Sequence, residues 1–123
     1  MMFRENITKL VNRLDGCVAG ALMGFDGITV ASHVRDGHSG HLADIQTWAM
    51  EYGHVVAQLR PATQRLELSA LREIAIRTDK LVVLFYLLTN DYYVCCGLLP
   101  TANLGKARYL VRLASPQIRA ELH

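Results

Sequence analysis

Cysteine, net charge, long apolar runs and low-complexity sequence are all scarce in this chain, and each scarcity removes a class of protein. Three cysteines in 123 residues, Cys17, Cys95 and Cys96, are too few and odd in number for a disulfide framework. Buried thiols in a reducing compartment are the expectation. A formal net charge of +2 is too small to make nucleic acid the default partner. The two strongest apolar runs, 81–88 and 92–99, fall far short of the roughly twenty residues of a membrane-spanning helix, so no membrane insertion is expected. The opening Met-Met-Phe-Arg-Glu-Asn has no apolar core followed by a cleavage site. No secretion signal is expected from it, and the reading is a soluble cytoplasmic domain. No internal repeat, linker or low-complexity segment breaks the chain, which reads as one domain over 1–123.

What is present is a 51% hydrophobic, 20% charged globular composition. A chain of this length buries about two-thirds of its unfolded surface and needs no metal or disulfide to close its core. The runs LVVLFYLL and YYVCCGLL, separated by Thr89-Asn90-Asp91, predict a hairpin at the centre of a sheet. Apolar on both faces, its strands require cover on both sides.

Phe3, Ile7, Leu10, Val11 and Leu14 recur at helical spacing, and Asp15-Gly16 stops that helix. Cys17 to Phe25 reads as a strand in which Gly20 and Gly24 admit close neighbours. Asp26-Gly27 predicts a tight turn into a second strand, Ile28 to His33. Residues 34–41 read as a loop. A second helix is expected over roughly 42–67, bent at Pro61. Its stripe comprises Leu42, Ile45, Ala49, Tyr52, Val56, Leu59 and Thr63, widened by Trp48, Val55 and Ala62. That is more apolar surface than one sheet face should consume. Leu71 to Thr78 predicts a third strand, with Ile74 and Ile76 on one face, followed by a turn at Asp79-Lys80. A last helix follows Pro100, capped by Thr101 or Asn103, with Leu104, Ala107, Val111 and Ala114 inward and Pro116 bending or ending it. The order is αββαβββα: an α+β (α/β sandwich) fold with a five-stranded antiparallel sheet between helices.

Catalytic signatures are weak throughout. His33, His38, His41 and Asp36 match no structural zinc spacing, and a solvated loop is the better reading. His54 reads as a surface or interface residue. Cys95 and Cys96 alternate across a strand and point to opposite faces, so they form no redox couple. Gly105-Lys106 lacks the upstream glycine and the following Ser or Thr of a phosphate loop. Lys106, Arg108 and Arg112 read as a solvated helix face rather than a contact for an acidic partner. No G-x-S-x-G elbow is present. Neither a catalytic residue, a cofactor site nor a metal site is assigned; the pattern is that of a binding module.

Three segments carry a resemblance: ALMGFDGITVAS at 21–32, LREIAIRTDKLVVLFYLL at 71–88 and NLGKARY at 103–109. Their order and spacing resemble the Roadblock family, over nearly the whole chain, including its bacterial MglB-type members. The resemblance implies a longin-like arrangement with two helices on one sheet face and the long second helix on the other. It also implies a homodimer formed by pairing third strands edge to edge and packing second helices together. In this chain the dimer surface would comprise Ile45, Trp48, Ala49, Tyr52, Val56 and Leu59, with Ile74, Ile76 and Thr78 along the edge. The implied function is a non-catalytic adaptor that binds a Ras-like small GTPase and modulates its nucleotide cycle. The alternative is a scaffold subunit of a motor or signalling assembly, with no nucleotide-dependent partner.

Overall fold

The structure, a computed structural model, describes residues 2–38, 40 and 44–122. Helix α1 (Met2–Arg13) leads into β1 (Cys17–Gly24) and β2 (Thr29–Val34). Helix α2 (Ile45–Arg65), strands β3 (Glu73–Arg77), β4 (Val82–Leu87) and β5 (Tyr92–Leu98), and helix α3 (Leu104–Glu121) follow. The strands form one antiparallel sheet in the order β2-β1-β5-β4-β3. The predicted central hairpin is β4–β5, with β5 at the middle of the sheet.

Side-chain alternation divides the core into two layers. Ile7, Leu10, Val11, Leu84, Val94, Cys96, Val111 and Ile118 pack α1 and α3 against one face. Val18, Ala21, Met23, Val83, Phe85, Tyr93 and Cys95 meet Ile45, Ala49 and Val56 of α2 on the other. Two helices thus cover one face and the long helix the other, as the resemblance implied. The adjacent cysteines fall on opposite faces, as the strand period requires. Gly20 lets α1 approach closely: a Cβ there would lie 2.7 Å from Cγ2 of Val11.

Boundaries differ from the sequence reading where side chains compete with backbone. Leu42 and His41 lie outside the described residues, and α2 is capped by Asp44, whose carboxylate accepts from the Thr47 amide. The β1–β2 turn takes four residues rather than two: the Gly24 amide donates to the Ile28 carbonyl, and Gly27 adopts φ +89°. Helix α3 neither ends at Pro116 nor loses its bonding there. Proline has no N–H for the Arg112 carbonyl, and the Ser115 hydroxyl donates to that oxygen instead, at 2.9 Å. Helix α2 likewise runs through Pro61 to Arg65.

Candidate interaction surface

The sheet consumes one side of α2 and leaves the adjoining side uncovered. Ile45, Ala49, Gly53 and Val56 are buried against the strands. This corrects the sequence reading for three of the expected interface residues. Ile45, Ala49 and Val56, at 3%, 0% and 1% exposure, spend their side chains on the chain's own core. The wide stripe seen in the sequence is two stripes. The second runs through Trp48, Tyr52, Val55, Leu59 and Ala62, at the i, i+4, i+7, i+11, i+14 spacing of a helix-packing seam. Val55 and Leu59 are 52% and 41% exposed.

Trp48 and Tyr52 anchor the half-buried part of that seam. Gly97 makes room for the indole: a Cβ there would lie 2.7 Å from Cη2 of Trp48. The indole Nε1 is buried and has no hydrogen-bond partner among the described residues. Tyr52 meets Phe85 edge-on, with ring centroids 6.4 Å apart. Trp48 and Tyr52 rest on β5 and β4 and pack in the same layer as Ile74 and Ile76 of β3. Strand β3 ends the sheet, and among the described residues no strand pairs with its outer edge. Ile74 and Ile76 are half-buried. Thr78 is occupied locally: its hydroxyl donates to the Leu81 carbonyl at 2.6 Å and accepts from the Leu81 amide at 3.1 Å, closing the β3–β4 turn.

Tyr93, beneath α2, holds the helix to the sheet. Its hydroxyl donates to the Ala49 carbonyl at 3.0 Å, and burial, with Cys95 nearby, pushes its pKa up to about 12. On the opposite face the Cys17 thiol donates to the Ala19 carbonyl at 3.4 Å; the adjoining Cys96 thiol lowers the Cys17 pKa, and Cys17 in turn raises that of Cys96. No pattern in the residues pointed to that pair. The bulge between Cys17 and Ala19 alters the β1–β5 register that alternation alone would assume.

The other chemistry-bearing residues remain dispersed. No group of three His, Cys, Asp or Glu able to hold a metal occurs among the described residues. His54 is exposed. Arg108 corrects the reading of a solvated basic face: its Nε donates to the Glu73 carboxylate of β3 at 2.5 Å, pinning α3 across the edge strand. Arg35, read as part of a loop, closes the C-terminus of α1, its guanidinium donating to the carbonyls of Val11 and Leu14. No helix of the described residues is long and apolar enough to cross a membrane.

No family model matches the chain, and no curated protein does. Solved structures do. MglC from Myxococcus xanthus shares 34% identity over 98% of this chain and 99% of its own, with a TM-score of 0.69. A Roadblock/LC7 domain from Streptomyces avermitilis superposes with a TM-score of 0.82 at 15% identity, covering 97% of this chain and 96% of that one. The gliding protein MglB from Thermus thermophilus gives 0.78 at 15% identity, over 90% and 81%. These last two share the fold; the first shares sequence along its whole length. By that sequence likeness, in the fold of Roadblock/LC7 domains, the chain belongs to the Roadblock family.

Proposed function

We propose that this protein is a non-catalytic, self-associating adaptor that binds a Ras-like small GTPase and modulates its nucleotide cycle in the cytoplasm. The observation that carries the reading is the conjunction of the α2 seam with the unpaired edge of β3. A second copy brought to that edge would satisfy the outward N–H and C=O groups of β3 and cover Val55 and Leu59 in the same step. Two five-stranded sheets would then be continuous beneath a pair of packed helices. Trp48 and Tyr52 supply the aromatic anchors such an interface needs, each already held by its own sheet. The likeness to the gliding proteins MglC and MglB supports a role in the control of a GTPase.

Such an adaptor acts without bond chemistry of its own. It shifts the GTPase between conformations in proportion to the difference in affinity it has for them. The test is capture from native cytosol with this protein as bait, run in parallel with GDP and with a non-hydrolysable GTP analogue. A small GTPase retained in one nucleotide state supports the reading. Retention indifferent to nucleotide, with no GTPase among the retained proteins, refutes it in favour of a scaffold subunit.

A further inference from the structure

At the C-terminal end of α2 lies a pocket of ≈350 Å³ walled by α2, the 66–72 connection, the β4–β5 turn and the end of α3. Arg60, Arg72 and Arg119 come to it from three different elements, and among the described residues none that line it is acidic. Two of the three guanidinium groups are fixed in place. Arg60 lies over the Phe25 ring at 3.8 Å and donates to the carbonyls of Asn90 at 2.6 Å and Thr89 at 3.0 Å. Arg119 donates through Nε to the Leu88 carbonyl at 2.9 Å.

Each guanidinium carries five N–H donors. The turn carbonyls take two from Arg60 and one from Arg119, so most of the donors on these two fixed groups remain for something else. The acid that reaches Arg60 is Asp91, and it undercompensates: burial outweighs it and lowers the pKa of the guanidinium. A positively charged pocket with pre-oriented donors and, among the described residues, no carboxylate in its wall is suited to an anion. Three guanidinium groups exceed what one planar carboxylate can engage, whereas a phosphoryl group offers a near-double charge and three acceptor oxygens. The volume is at the lower end of the ~300–1,000 Å³ typical of small-molecule sites. Leu71 and Leu87 supply apolar wall for a short carbon skeleton. We propose that this pocket binds the phosphoryl group of a small phosphomonoester, held between Arg60, Arg72 and Arg119.

The test is amide-resolved NMR of the full chain, titrated at constant ionic strength with inorganic phosphate and with glycerol phosphate, acetate serving as the carboxylate control. The expected result is saturable shifts at Ser69, Ala70, Arg72 and Asn90, stronger for either phosphate than for acetate. Arg72 is exposed, so Arg72→Gln should leave the spectrum of the fold intact while weakening phosphate about tenfold. Arg119→Lys, which keeps the charge but loses the fork, should also weaken it. Shifts that fail to saturate, that spread to Arg4, Lys9 and Lys106, or that match those from acetate would overturn the assignment. So would affinity unchanged in both variants.

Discussion

Replacing Gly53 by alanine separates local helix propensity from tertiary packing, because the two predict opposite signs. In an exposed helix interior, Gly→Ala stabilises by about 1 kcal/mol. Gly53 stands at the middle of α2 but faces the sheet. A Cβ there would overlap the Tyr93 hydroxyl and lie 3.0 Å from its Cζ. Tyr93 cannot simply turn away. It is 1% exposed, and its ring is held between Phe25 and Phe85, at centroid distances of 4.7 and 5.4 Å. Overpacking a filled core costs about 1–3 kcal/mol. Displacing a buried hydroxyl from its acceptor, here the Ala49 carbonyl, costs about 1 kcal/mol more. About 3 kcal/mol lost against about 1 gained leaves Gly53→Ala destabilised by about 2 kcal/mol. With a urea dependence of roughly 1.5 kcal/mol per molar, the midpoint should fall by about 1 M at fixed protein concentration. In a Tyr93→Phe background the obstructing oxygen is gone, and the same substitution should cost less than half as much. Urea unfolding of the four proteins in this cycle measures the coupling directly. A stabilised Gly53→Ala, or an equal effect in both backgrounds, would refute the reasoning.

The remaining predictions address association, pH and thiol access. Val55→Asp and Leu59→Asp place a charge on the exposed seam and should abolish self-association in sedimentation while leaving far-ultraviolet circular dichroism unchanged; an undiminished oligomer would move the interface elsewhere. Tyr93 binds its proton more tightly folded than unfolded, so its contribution to stability is intact below pH 10 and is lost as pH rises toward about 12. Tyr93→Phe should flatten that alkaline decline, as followed by urea midpoints between pH 9 and pH 12. Cys17, Cys95 and Cys96 are all free and buried. They should react with an aromatic disulfide reagent at the rate of opening rather than on mixing, and a fast-reacting thiol in native buffer would contradict this packing.

Strand and helix identity was legible because burial on a sheet imposes a period of two and burial on a helix one of 3.6. The apolar runs 81–88 and 92–99 thus announced β4 and β5, and the Phe3–Leu14 spacing announced α1. The opposite orientation of Cys95 and Cys96 follows from the same rule. The residues left Pro116 as a bend or an end of α3, and the helix runs past it to Glu121 for a reason that lies outside any hydrophobic pattern. Whether it ends a helix depends on what else reaches the abandoned carbonyl, and the neighbouring Ser115 hydroxyl does.

The candidate surface was legible in excess. An apolar stripe wider than one sheet face was visible in the residues of α2, but the residues alone did not divide it. Ile45, Ala49 and Val56 look no different in sequence from Val55 and Leu59. The division follows from the rotation of α2 about its axis, which Gly53, Gly97 and Tyr93 fix through close contacts made by residues 40 or more positions apart. Separation in sequence likewise hid the ion pair of Arg108 with Glu73 and the meeting of Arg60 and Arg72 with Arg119. Composition and periodicity determined which segments fold and into what. Which sides remain uncovered, and which charges meet, was decided by long-range packing, because exposure and electrostatic pairing depend on residues that only the closed sheet brings together.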